Sequence, residues 1–361
     1  MKFDVLATAI ASLSLATAAP APEPGFGHGY GGHKQNLKYP GLDVLAKRAG
    51  LLYFGTAIDN VVLNDTRYTS IAFNRSEFGQ VTPANGQKWM YIEPERNVFN
   101  YTMANEIVIP SKKAGQIRRC HNFIWHNQLP DWLTSKNYTK AELTSILENH
   151  IKHEATYFKN DCYAWDVVNE ALNDDGTWRQ DIWSNTFGGP EYIALAFKFA
   201  RKYVSRNTRL YYNDYNIETV NNKSLAVVAM VKDFQKRGVP IDGVGLQAHF
   251  TVGRSPTYDQ VSASIAQFNK LGLETALTEL DVRVALPDTP AQQADQAKIY
   301  ADSVKACVDA RDCVGVTVWD FWDPVSWVPS TFPGNGDADL LDANFTRKPA
   351  YYAVSDILRD D

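Results

Sequence analysis

The chain has 361 residues, a net charge of −5 and 45% hydrophobic residues, with acidic and basic side chains interspersed. That length suits one large core, and the absence of a basic stripe or acidic tail argues against nucleic acid and strongly charged partners. Aromatic residues make up 12%, with nine Trp and eighteen Tyr; such rings suit the apolar faces of sugars, although large cores also collect them.

In chain order, Lys2 is followed by the mostly apolar run 5–15 and by the small residues Ala16-Thr17-Ala18-Ala19 before Pro20. This reads as a secretory signal peptide over 1–19, too short to span a membrane. Residues 20–38 form a Pro/Gly/His-rich leader with little to bury, and a solvated linker is the reading preferred over weak metal binding through His28 and His33. Six N-x-S/T sequons follow, at Asn64, Asn74, Asn100, Asn137, Asn222 and Asn344, which fits an extracellular glycoprotein. Four cysteines agree with an oxidising compartment. Cys307 and Cys313 are close enough in sequence to close a small loop, which leaves Cys120 to pair with Cys162. Metal binding is the alternative, and no ligand-spaced His/Cys cluster supports it.

Residues 39–361 read as one domain. Strands are expected at 52–58, 78–83, 117–125, 164–168, 210–212, 243–247, 275–279 and 314–319. Amphipathic helices are expected at 140–159, 190–204, 223–237, 258–271 and 290–310. Eight βα units predict an α/β fold, a single (β/α)8 TIM barrel. An open doubly wound sheet would carry a Gly-rich phosphate turn, and Phe54-Gly55-Thr56 is not one.

Catalytic residues of such barrels stand where the strands end. Six apolar runs stop at polar or aromatic clusters: Trp125-His126-Asn127-Gln128, Asn169-Glu170, Asn213-Asp214-Tyr215-Asn216, Gln247-Ala248-His249, Glu279-Leu280-Asp281 and Trp319-Asp320-Phe321-Trp322. Carboxylates, amides, imidazoles and indoles on one rim suit a sugar site. Glycoside hydrolysis needs one carboxyl to protonate the leaving oxygen and another to attack or to activate water. Glu170 and Glu279 end strands four and seven, on opposite sides of the mouth. Asn169 is placed to bind the 2-hydroxyl of the attacked sugar, and His249 and Asp281 to orient Glu279. The structural alternatives are helix capping for Glu170 and a surface pair with Arg283 for Glu279.

The segments Trp125-His126-Asn127-Gln128-Leu129-Pro130, Trp165-Asp166-Val167-Val168-Asn169-Glu170, Gly245-Leu246-Gln247-Ala248-His249 and Thr278-Glu279-Leu280-Asp281 resemble glycoside hydrolase family 10, the endo-β-1,4-xylanases. The similarity runs from about residue 52 to the C-terminus and includes Lys88-Trp89 and Lys348-Pro349-Ala350-Tyr351. It implies a retaining mechanism, with Glu170 as acid/base, Glu279 as nucleophile and the carboxyls about 5–5.5 Å apart. It further implies that His126, Trp132, Asn169, Gln247, His249, Trp319 and Trp327 line the sugar subsites. Asn85 and Lys88 would hold the next sugar on the non-reducing side, and Tyr215 would brace the site. No metal or organic cofactor is implied; the expected partner is xylan or a plant glycoside, and the expected state a monomer.

Two departures stand out. Ala84-Asn85 occupies the place where the family usually has Glu-Asn, and Asp320-Phe321-Trp322 replaces a small Gly-Val-type turn after Trp319. They leave open a rival substrate for the same mechanism, a plant glycoalkaloid, as in tomatinase-like members. A non-catalytic lectin or inhibitor barrel is the reading from a different class; it predicts loss of one carboxylate, and both are present.

Overall fold

The computed structural model describes residues 40–360. The signal peptide and leader expected at the N-terminus lie outside the described residues. Eight parallel strands alternate with helices: β1 (Tyr53–Ile58), β2 (Gln80–Pro83), β3 (Ile117–Ile124), β4 (Ala164–Asn169), β5 (Arg209–Asp214), β6 (Gly243–Leu246), β7 (Glu274–Ala285) and β8 (Cys313–Val318). Each pairs with the next, and β8 returns to β1 with Thr56 opposite Val318, closing the (β/α)8 barrel.

The helices stop and start where local chemistry dictates. The main ones are α1 (Leu42–Arg48), α2 (Thr66–Ala72), α3 (Thr102–Lys113), α4 (Lys140–Phe158), α5 (Glu191–Tyr203), α6 (Asn222–Arg237), α7 (Tyr258–Asn269), α8 (Pro290–Val308) and α9 (Pro349–Asp360). Thr139, Asn221, Thr257 and Thr289 cap α4, α6, α7 and α8 with reciprocal capping boxes, and Pro290 opens α8 with a preset φ. In α4, Leu143, Ile146, Leu147, Ile151 and Phe158 recur at helical spacing and are buried against the barrel.

The barrel interior is filled, not hollow. Arg119 and Asp166 form a buried ion pair at 2.6 Å, and the Arg119 guanidinium lies 4.4 Å from the Tyr211 ring centre. Tyr53 and Tyr211 complete this layer, and Gly315 faces Tyr53 so closely that a Cβ would overlap the ring. Asp166 also accepts from His121, at 3.0 Å, so the plug reaches upward towards the mouth.

One strand differs from expectation. β7 was predicted to stop at Glu279 but runs to Ala285, because the β-rich alternation Asp281-Val282-Arg283-Val284 finds partners above the barrel. The short strand His249–Thr251 pairs parallel to it, and Asn335–Gly336 antiparallel. Both disulfides form as expected, Cys120–Cys162 and Cys307–Cys313, with Cα separations of 5.7 and 5.2 Å. The first bridge joins β3 to the turn leading into β4, since Cys120 is level with Trp165, not with Cys162. Among the described residues no helix is long and apolar enough to cross a membrane.

Candidate active site

The C-terminal ends of all eight strands surround one cleft of about 950 Å³. Glu170 follows β4 and projects into it from a left-handed backbone, φ 57°. That conformation costs a non-glycine residue about 1–2 kcal/mol and concentrates at functional positions. Its carboxyl is fixed by three donors: Trp125 Nε1 gives to Oε2 at 2.8 Å, while Gln247 Nε2 and Asn169 Nδ2 give to Oε1 at 2.9 and 3.1 Å.

Glu279, on β7, is 5% exposed. Asn213 Nδ2 donates to its Oε1 at 2.7 Å, and His249 Nε2 lies 3.2 Å from Oε2. Asn213 can approach because its register partner is Gly245, where a Cβ would collide with the Asn213 amide oxygen. The same Asn213 nitrogen lies 2.9 Å from Asn169 Oδ1, and Thr278 Oγ1 donates to Asn213 Oδ1 at 2.6 Å. A continuous amide bridge therefore links the two carboxyls.

Electrostatics separate the groups by role. Burial raises the Glu279 carboxyl, but the hydrogen bond from His249, the charges of His121 and His249, and the Asn213 amide outweigh it and hold it below the ordinary carboxylate range. Burial also lowers the His249 imidazolium, yet Asp281 and Glu279 overcome this and push it up to about 10. Asp281 Oδ2 accepts from both His249 Nδ1, at 2.8 Å, and Trp327 Nε1, at 2.6 Å, which locks the imidazole in place. His249→Asn removes the nearest cationic partner and leaves burial opposed only by the His121 charge and the Asn213 amide. The acidic limb of kcat/KM should therefore move to higher pH, as a pH–rate profile on an aryl xylobioside would show; an unmoved limb would contradict this wiring.

Asn85, Lys88 and Gln128 form a second polar group. Lys88 Nζ donates to Gln128 Oε1 at 2.6 Å and to Asn85 Oδ1 at 3.0 Å. Burial lowers its ammonium to about 8 against the opposing charges of Glu279, Glu170 and Asp59. Tyr215 lines the cleft with its hydroxyl bonded to Arg179 at 3.0 Å and its ring 3.5 Å from the Lys223 ammonium. Trp319 and Trp327 form an aromatic wall, each edge-on to His249.

The structure brings Asn85, Lys88, Asn169, Glu170, Tyr215, Gln247, His249, Glu279, Trp319 and Trp327 to this one cleft, with Asp281 directly behind Glu279 and His249. It does not bring His126 and Trp132 to the lining, which corrects the expectation for both. The Trp132 indole turns away and donates to the Glu93 carbonyl at 2.9 Å. The imidazole of His126 stays 3.9 Å from Glu170, beyond hydrogen-bond reach, and burial lowers it to about 4. Their places are taken by Trp125 and His121. From the sequence Asn213 stood only as a member of its strand-end cluster, with no role, and neither Asp59 nor His121 was named. Alternation along the strands is the signal for two of these: His121 is two residues from Arg119, and Asn213 two from Tyr211, so each shares the inward face.

The sequence model of glycosyl hydrolase family 10 matches residues 41–357. Endo-1,4-beta-xylanase D of Talaromyces funiculosus is 47% identical over 313 residues, covering 87% of this chain and 76% of that protein. Endo-1,4-beta-xylanase A of Humicola insolens is 46% identical over 326 residues, covering 88% and 86%. Among solved structures, the Penicillium canescens endo-1,4-beta-xylanase XylE superposes with a TM-score of 0.86 at 44% identity, covering 89% of this chain and 98% of that one. The family 10 xylanase from Bispora sp. MEY-1, solved with xylobiose, gives 0.85 at 43% identity, covering 88% and 99%. With the matching motifs set at the ends of a closed barrel, the chain belongs to glycosyl hydrolase family 10.

Proposed function

We propose that the protein is a secreted, retaining endo-1,4-β-xylanase that cleaves internal bonds of plant xylan by double displacement, acting as a monomer. The observation that carries the reading is the placement of Glu170 and Glu279 in one cleft, joined by the Asn169–Asn213 bridge and held by different partners. In the first step a Glu279 oxygen attacks the anomeric carbon while Glu170 gives its proton to the departing oxygen; the C1–O bond breaks and a glycosyl ester forms. In the second, Glu170 takes a proton from water, water oxygen bonds to C1, and Glu279 leaves as carboxylate. Glu170 gives a proton in the first step and takes one back in the second, so the cycle returns both carboxyls to their starting states. Asn169, bonded to Glu170 and linked to Glu279 through Asn213, would bind the sugar 2-hydroxyl.

The named activity of the relatives supports xylan as substrate, and the six exposed sequon asparagines are compatible with export and glycosylation. The test is product analysis on arabinoxylan and, separately, on α-tomatine. Short xylo-oligosaccharides are expected from the first and no release from the second. An intact oligosaccharide freed from tomatine, with xylan untouched, would replace this reading by the glycoalkaloid one.

A further inference from the structure

The wall where β8, β1 and β2 end carries two acids that the reaction above does not use. Pro83 on β2 is the register partner of Ile58 on β1, and the Ala84 amide donates to the Ile58 carbonyl at 2.9 Å. Thr56 is the partner of Val318 on β8. Asp59 follows the last residue of β1, Ala84 the last of β2, and Asp320 stands two residues past the last of β8, so the three occupy adjacent strand ends. All three line the cleft. Ala84 contributes only a methyl group, packed with Ala57 and Trp319 and backed by Trp327.

The two acids are held differently. Asp59 Oδ1 accepts from the Asn60 amide at 2.6 Å, and Oδ2 accepts from Asn85 Nδ2 at 2.9 Å, which ties it to the Asn85–Lys88–Gln128 group. Asp320 sits in a left-handed conformation, φ 71°, and its Oδ1 accepts from the Tyr68 hydroxyl at 2.9 Å. Among the described residues neither the half-buried Asp59 nor the buried Asp320 has a cation within ion-pair distance, which for Asp320 is an unusual state and in both leaves hydrogen-bonding capacity for a ligand. Burial, with the charges of Asp59 and Asp281, keeps Asp320 protonated up to about 8 despite the Tyr68 bond. With Tyr68 on Oδ1, Oδ2 is the oxygen left for a ligand, and a protonated carboxyl there can donate as well as accept beside the acceptor Asp59. A donor and an acceptor on one wall complement a sugar hydroxyl, which is both.

We propose that Asp59 and Asp320 together bind the hydroxyls of the sugar next to the attacked one, on its non-reducing side, across the space that Ala84 leaves open. The proposal deepens the xylanase reading and rests on it. The specificity of that subsite then comes from the ends of β1 and β8, with the end of β2 contributing room and the Asn85–Lys88 pair.

The test compares 4-nitrophenyl β-xyloside, which fills only the attacked place, with 4-nitrophenyl β-xylobioside, which adds the next sugar. The readout is the ratio of kcat/KM on the second to that on the first. Asp59→Asn removes a charge-assisted acceptor and should lower the ratio about tenfold or more. Asp320→Gly deletes the carboxyl at a φ that glycine tolerates and should lower it about fivefold, whereas Asp320→Asn keeps a donor and an acceptor and should hold it within about twofold. If Asp320→Gly does not fold, the conservative Asp59→Asn decides. A ratio unchanged in Asp59→Asn, with both substrates cleaved by the wild type, overturns the assignment and leaves the xylanase reading intact. A wild type that cleaves neither aryl substrate overturns both.

Discussion

Glu279→Ala lowers kcat/KM on xylan by about 10⁴-fold or more, while the protein keeps its fold. The size follows from what the side chain does: without its carboxylate no bond to C1 can form, and the remaining cleft offers only binding and orientation. The fold survives because the removed group is a buried charge that pays its own desolvation, and His249 keeps Asp281 as partner at 2.8 Å. The vacated space also makes the result specific. A small anion such as azide can enter on the side that Glu279 attacked and displace an activated leaving group, so azide should restore turnover of a dinitrophenyl xylobioside and yield the α-glycosyl azide. Thermal melting and that product together separate a missing nucleophile from a misfolded protein. Turnover retained without azide would overturn the assignment of Glu279.

Glu170→Ala has the second largest effect, and its signature is dependence on the leaving group. General acid catalysis contributes about 10²–10⁴-fold, and xylan, whose leaving sugar needs a proton, should lose about 10³-fold. Dinitrophenolate leaves without a proton, so the glycosylation step on a dinitrophenyl xylobioside should remain fast. The second step then lacks its base, and the expected trace is a burst of one dinitrophenolate per enzyme followed by slow release. Azide needs no deprotonation and should accelerate that slow phase, giving the β-azide. Equal losses on xylan and on the activated substrate, with no burst, would remove Glu170 from the acid/base role. Trp125 and Gln247, which orient this carboxyl at 2.8 and 2.9 Å, would then have only a structural duty.

The barrel and the carboxyl pair were legible in the sequence because both follow from short-range signals. Strands buried on both sides read as continuous apolar runs, and the polar break after each run marks the mouth. The helices were legible through their caps, as at Thr139 and Thr289. Less legible was which of two neighbouring residues turns inward where a strand is irregular. The β3–β4 register shifts between His121 and Ile124, so simple counting misplaces the residues after it. His126 was expected in the cleft on the resemblance alone; Trp125, just after the shift, lines it instead, with His121 before it. Trp132 sits in a turn of helix, Asp131–Thr134, whose direction depends on the partner its indole finds, here the Glu93 carbonyl. Asn213 was hidden for another reason: its function depends on contacts to β4 and β7, Asn169 and Glu279, which are distant in sequence.

Fine placement also separates the two strand-end acids. Asp320 was visible as an unusual residue after Trp319, but its relation to Asp59 rests on β8 closing onto β1, a contact between the two ends of the barrel. No local pattern encodes that closure.

The central claim is that Glu279 attacks the anomeric carbon itself, with Glu170 serving as acid and then base. The direct test is the anomeric configuration of the first products of xylan hydrolysis, followed by proton NMR within minutes of adding enzyme. Two inversions at one carbon restore the starting configuration, so the account predicts the β-anomer first, with the α-anomer growing in only by mutarotation. An α-anomer formed first would mean a single displacement by water and would contradict the account.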